Sequence, residues 1–175
     1  MAEDFYQGLS EEFCQGDIFD TLPHALVAES IDEIEDKPGF VAAKCKRDRA
    51  ILLTHDCQID KPELRSWLVC PIRRLDAMSR SIQGDIKKNR VYPFLHLPEY
   101  RDVLPASFVD FNHVTALEPA LVKSADRIVS LSNLGRRALY SQFIRWLTRW
   151  ELRKLKCPAC TVEFDPADFL PVRPG

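Results

Sequence analysis

Residues 49–72 read RAILLTHDCQIDKPELRSWLVCPI. Two short apolar runs, Arg49-Ala50-Ile51-Leu52-Leu53-Thr54 and Trp67-Leu68-Val69-Cys70-Pro71-Ile72, frame a polar stretch. Each run is consistent with a buried strand. Upstream, Gly16-Asp17-Ile18-Phe19-Asp20 alternates polar and apolar residues and reads as a first strand. Residues 1–15 form a lead-in with a helical turn expected around Ser10-Glu11-Glu12-Phe13, and residues 29–46, polar and carrying Pro38-Gly39, read as a loop.

Downstream, residues 76–87 suit a short helix or a mobile excursion. Arg90–Leu97 is strand-like but broken by Pro93, which points to a sheet edge. Ser107–Val114 alternates, and Asp126–Leu131 is a further strand candidate. From Ser132 or Asn133, both good N-caps, the period becomes helical. Leu139, Phe143, Trp146, Leu147 and Trp150 form an apolar stripe, and Arg145, Arg149 and Arg153 a basic row, so the helix is expected to reach about Leu155. Helices do not alternate with strands, so the expected fold is mostly β, a small barrel with a long C-terminal helix. The divisions are a lead-in (1–15), a barrel domain with its helix (16–155) and a Cys-containing knuckle and tail (156–175).

A chain of 175 residues suits one domain and is too short for two full ones. Its 46% hydrophobic residues can build a core, and no apolar run approaches the roughly 18 residues of a membrane helix. Met1-Ala2-Glu3-Asp4 lacks the pattern of a signal peptide, so a cytoplasmic setting is expected, with no membrane. There the six cysteines act as thiols or metal ligands rather than bridges. The net charge of −2 hides an asymmetry: residues 1–36 carry eleven acids and no Lys or Arg, whereas residues 37–156 carry 23 basic and 12 acidic residues. The basic body either binds an anion or pairs with its acidic leading segment.

In order and spacing these segments resemble the MazF/PemK toxin family. Gly16-Asp17-Ile18-Phe19 resembles its opening Gly-Asp-Ile/Val strand, Arg49-Ala50-Ile51-Leu52-Leu53 its Arg-Pro-Val-Leu-Val strand, and Leu68-Val69-Cys70-Pro71-Ile72 its Val-Ala-Pro-Ile strand. Ser107-Phe108-Val109-Asp110, then Val114, Leu117, Val122 and Arg127, then Ser130-Leu131-Ser132 before a long helix, resemble its C-terminal half. The likeness spans roughly residues 16–150. It implies an SH3-like barrel, a homodimer, metal-independent cleavage of single-stranded RNA, and a toxin–antitoxin or phage-defence setting with a cognate antitoxin or other protein partner. It also implies a phosphate-binding role for Arg49. The sequence departs from the family at two strand positions: Arg73 stands where the family has Ser/Thr, and Ala50 where it has Pro. Five acids of Glu29–Asp36 fall where the family's first loop covers the active surface, and their charge repels RNA phosphates.

Metal-free RNA cleavage needs a base, an acid and a cation. Thr54-His55-Asp56-Cys57-Gln58-Ile59-Asp60 packs reactive types just after a strand, where rigid backbone presents them well. The candidate catalytic residues are Arg49 and Arg73 on the phosphate, His55 and His96 as proton carriers, and Asp56 and Cys57 beside them. A second reading makes Cys57 a nucleophile with His55 or His96 as base, since i and i+2 share a strand face. A third is a polar turn closing a strand. Arg90, Arg145 and Arg149 are candidate nucleic-acid contacts. Cys70, inside an apolar run, reads as core.

Cys157-Pro158-Ala159-Cys160 has the spacing of half a tetrahedral zinc site. Cys14 with Cys45, the same pair from a second subunit, or histidines are the candidates for the other half. Zinc would then be structural. Free thiols or a redox pair are the alternatives. If the barrel has lost catalysis, it serves as a zinc-stabilised protein-interaction module.

Overall fold

A computed structural model describes residues 3–25 and 45–148, together with the backbone of 155–156 and 163–164. Eight strands form one antiparallel sheet: β1 (Tyr6–Gln7), β2 (Asp17–Ala25), β3 (Cys45–Leu52), β4 (Trp67–Arg74), β5 (Phe94–Leu97), β6 (Ser107–Asp110), β7 (Thr115–Leu117) and β8 (Arg127–Leu131). Four helices join them: α1 (Asp56–Ile59), α2 (Arg80–Lys87), α3 (Pro119–Lys123) and α4 (Asn133–Thr148). A separate two-stranded ladder pairs β9 (Leu155–Lys156) with β10 (Glu163–Phe164). The sheet runs β1-β8-β2-β3-β4-β6-β5, with β7 also on β4, and does not close into a barrel.

The two apolar runs of residues 49–72 pair with each other, Ala50 opposite Pro71 and Leu52 opposite Val69. They read as unbroken apolar stretches because both faces of the sheet are covered. Ile18, Ile51, Cys70, Ile72 and Val109 enter one core, against Leu139 of α4. Their neighbours Phe19, Leu22, Leu52, Trp67 and Val69 enter a second core, closed by Ile59 and Val122. A smaller cluster joins Leu75, Ile86 and Phe108.

Strand β4 changes partner along its length. Trp67–Val69 pair with β7, and Ile72–Arg74 pair with β6. Pro71, which has no N–H to donate, stands at the switch between the two ladders. Strand β2 also shifts register, against β3 between Phe19 and Leu22 and against β8 between Ile18 and Phe19. Such irregularities bend a strand and re-aim its later residues.

The lead-in is part of the sheet, because Tyr6 and Gln7 pair with Leu131 and Ser130. No helical turn forms at Ser10–Phe13; a 3-10 turn forms at Glu3–Phe5 instead. Arg127 is what holds residues 10–14. Its guanidinium donates to the carbonyls of Glu12 (2.7 Å) and Ser10 (2.8 Å), and pairs with the fully buried Asp17 carboxylate (3.1 Å). Asp17 also accepts from the Cys14 backbone N–H and the Ser130 hydroxyl.

Ser132 caps α4, its hydroxyl accepting from the Gly135 N–H at 3.3 Å. A Cβ at Gly135 would meet the Phe5 carbonyl at 2.5 Å, so glycine lets the N-terminal turn approach this helix. The helix ends short of the expected Leu155, which is in β9. Phe143 and Trp146 pack on the first core as the stripe predicts, whereas Leu147 is exposed. Pro93 precedes β5, which is an edge strand as expected. Residues 80–87 take the helical option. The acidic stretch Glu29–Asp36, Arg149, Trp150, Arg153, Cys157 and Cys160 lie outside the described residues. Among the described residues no helix is long and apolar enough to cross a membrane.

Asp17→Ala should lower stability by about 3–5 kcal/mol, because it leaves the Arg127 cation largely buried without its counter-charge. Urea denaturation of both proteins checks this.

Candidate functional site

The ends of β4 and β6 bring three polar side chains together. Arg73 stands near the end of β4, and Asp110 closes β6. After Asp110 the chain turns through a 3-10 segment, Phe111–His113, because the Asp110 carboxylate accepts from the Asn112 N–H at 3.2 Å. This turn swings His113 back, and its Nδ1 lies 2.9 Å from Asp110 Oδ2. A carboxylate only accepts, so Nδ1 carries the proton and Nε2 is left for other work. Arg73 Nε is also 2.9 Å from Asp110 Oδ2, as an ion pair. The carboxylate is 6% exposed, whereas Arg73 and His113 are 36% and 42% exposed. A buried acid thus orients two groups that solvent can reach. Beneath it the Cys70 thiol donates to the Asp110 carbonyl at 2.9 Å, and burial pushes that thiol's pKa up, so it stays protonated as a core donor.

His24 is buried near this group. It comes after the register shift of β2 and pairs with Lys46 of β3, two positions beyond the Leu22–Asp48 pair. It is 3% exposed, and neither ring nitrogen makes a hydrogen bond of good geometry, although the Asp48 backbone lies close enough to act on the ring. Asp48, Arg73 and His113 are the charged and titratable groups around it. Burial lowers its pKa and outweighs the opposing pull of Asp48. Among the described residues no three His, Cys, Asp or Glu side chains are grouped to hold a metal.

The residues expected from sequence are divided over several places. Continuing the β3–β4 register puts Asp48 opposite Arg73, with Arg49 on the other face beside Ile51 and Ile72. Arg49 donates to Asp20 at 3.0 Å and lines an open cleft of about 410 Å³ with Lys46, Arg74 and Ser107. By that alternation Arg49 and Arg73 start on opposite faces of the sheet, while Asp48 also lines the Arg49 cleft. His55, Asp56 and Cys57 lie beyond the opposite end of β3. There His55 caps α1, its Nδ1 accepting from the Cys57 N–H, with the Cys57 sulfur 3.1 Å away. Asp56 binds Arg136 (3.1 Å) and the Gln15 N–H, which ties it to the scaffold. Arg90 is exposed near Asp85, and Arg145 donates to the Asn89 carbonyl at 2.9 Å. Cys14 adjoins the Leu52 end of β3 and Cys45 begins it, about 23 Å of strand away. The two cannot complete one zinc site.

His96 shares a row with Arg73, Phe108 standing between them. Burial, and secondly the Lys87 charge, push its pKa down to about 4. The ring is neutral near pH 7, so it lacks the proton that an acid must give. His113 and His24 were not singled out by sequence. The signal for the first was Asp110 three residues ahead at a strand end, the start of an Asx turn. His24 carried no signal, because its position depends on the irregularity in β2.

His96 also couples stability to pH. Its folded pKa lies below the ordinary imidazole value of about 6.5, so the unfolded chain binds the proton first. Its contribution to stability is full above pH 6.5 and is lost as pH falls towards 4. In urea melts His96→Gln should lose less stability than the parent between pH 7 and pH 4. In comparisons with known proteins, the sequence matches no family model and no curated protein.

Proposed function

We propose that this chain is a MazF/PemK-like protein, an SH3-like barrel in family terms, that binds single-stranded RNA and cleaves it by metal-independent phosphodiester chemistry. The observation that carries the reading is the Asp110–His113–Arg73 group. The order of motifs along residues 16–150 supports the family. The guanidinium of Arg73 matches a phosphate in shape and charge. Asp110 fixes the His113 ring so that Nε2 can take the proton of a ribose 2′-hydroxyl. The freed oxygen attacks the adjacent phosphorus, and the bond from phosphorus to the 5′-oxygen breaks. That oxygen leaves with the proton His113 has taken, and the products are a 2′,3′-cyclic phosphate and a 5′-hydroxyl. Arg73 stabilises the added negative charge on phosphorus.

The test is cleavage of end-labelled single-stranded RNA in excess EDTA. The parent protein should cut, and Arg73→Ala and His113→Ala should each lose about 100-fold or more at unchanged folding. Loss in Arg49→Ala alone would move the phosphate to the cleft on the opposite face. No cleavage by the parent protein would defeat the reading.

A second reading, the zinc-stabilised interaction module, is favoured by the β9–β10 ladder. Lys156 pairs with Glu163, so the two strands flank the stretch that carries Cys157 and Cys160. Two thiolates at this spacing in a hairpin are half of a structural zinc site. With Cys14 and Cys45 too far apart for one site, the other half falls to histidines or to the same pair of a second copy, and this reading takes the second copy. Metal analysis of purified protein should then give about half a zinc per chain, and Cys157→Ser should abolish it together with zinc-dependent dimerisation. One zinc per chain, or none, would contradict a shared site.

A further inference from the structure

Beside the Asp110–His113 turn lies a second cleft, of about 420 Å³, lined by Tyr92, Pro93, Asn112 and Trp146. We infer that this cleft is a nucleobase subsite for single-stranded RNA, seating a base beside the short turn that carries His113. The inference rests on the proposed RNA-binding function and adds where the base goes.

Three observations carry it. The walls are aromatic and held in place. Trp146 is braced against Phe143 at a 5.8 Å centroid distance and a 27° interplanar angle. Tyr92 is fixed through its backbone, because the buried Gln142 amide donates to the carbonyls of Val91 (3.1 Å) and Tyr92 (3.0 Å). Aromatic rings form stacking platforms for bases; Trp146 is braced, and Tyr92 has one face covered by Arg145 and the other left for a base. Next, a cation adjoins the rings. The Arg145 guanidinium lies 4.5 Å from the Tyr92 centroid and is tied to the Asn89 carbonyl. Its charge suits a polyanion running past the cleft. Last, the polar edge is the right kind. Asn112 is exposed, and its side-chain amide offers both a donor and an acceptor, the pair that reads a base edge.

Continuity with the phosphate site is covalent. Asn112 and His113 are consecutive, about 3.8 Å apart at Cα, on one short turn. That turn is pinned to the cleft, since the Phe111 N–H donates to the Pro93 carbonyl at 2.9 Å. The base cleft and the proton-carrying histidine are therefore set by the same few residues. An ordinary hydrophobic pocket would need neither the adjoining cation nor the amide.

The experiment measures anisotropy of a labelled 12-nucleotide RNA and of a 12-unit abasic sugar–phosphate strand, each in EDTA and low salt. Tyr92→Ala should weaken RNA binding about tenfold or more and leave the abasic strand unchanged, and Tyr92→Phe should restore binding. Asn112→Ala should flatten any preference among homopolymers. The exposed Tyr92 is chosen because Trp146→Ala risks the core. Equal effects on both strands, or no effect on either, would overturn the subsite. Cleavage is read separately. If Arg73→Ala abolishes cutting while Tyr92→Ala binds normally, the subsite falls and the nuclease reading stands. If nothing is cut but RNA binds in a Tyr92-dependent way, the subsite stands and the nuclease reading falls. If the parent protein binds neither strand, both fall.

Discussion

The buried ion pair between Asp17 and Arg127 governs how this chain is assembled. A carboxylate with no exposure is costly to bury unless each oxygen is answered. Arg127, the Cys14 N–H and the Ser130 hydroxyl answer it. The same guanidinium reaches the carbonyls of residues 10–12, so one arginine joins β2, β8 and the N-terminal segment. Its remaining face lies over the Phe13 ring, at 4.4 Å from the centroid, and Phe13 packs on the second core. Gly16, at a φ of +91°, makes the turn that delivers Asp17 to this position.

From this anchor β2 runs through two register shifts and serves both cores in turn. Ile18 enters one and Phe19 the other, as strand alternation requires. The shifts also decide where His24 lands. A straight β2 would carry it along a regular ladder. The irregular one leaves it deep beside Asp48, Arg73 and His113. The candidate site thus depends on a strand anchored at its other end by Asp17.

Much of this was legible because local chemistry and tertiary context agree. The runs at 50–53 and 67–72 are apolar and feed two cores, so strands form there as read, but β3 begins at Cys45, inside the stretch expected as a loop, and β4 runs on to Arg74. Ser132 caps a helix whose Leu139, Phe143 and Trp146 face the core. Pro93 marks an edge strand. The lead-in was not legible, because Tyr6 and Gln7 make too short a strand to show a period; they pair only because the N-terminal turn fits against Gly135. The site was legible in part. Arg73 stood out as an unexpected cation after a buried strand. Its separation from Arg49 comes from alternation and the β3–β4 register, which single-residue motifs do not reveal. His55 and Cys57 were expected side by side as strand neighbours. They do meet, but as a helix cap beyond the far end of β3.

The arginine at position 73 decides how the proposed chemistry is divided. A hydroxyl at that position, as in the family the sequence resembles, can touch phosphate and relay a proton. An arginine keeps its charge and relays nothing. On the proposed reading the two jobs are separated: Arg73 holds the phosphate, and the proton passes through His113. The separation needs a group that keeps cation and imidazole in fixed relation, and the Asp110 carboxylate, 2.9 Å from both, is that group. Its burial makes the arrangement rigid, since a carboxylate that turned away would lose two partners and gain little water. On this reading, replacing a hydroxyl by a guanidinium leaves room for cleavage. The proposed proton carrier then sits on a turn three residues beyond the end of β6, where sequence motifs drawn from the strands do not look for it.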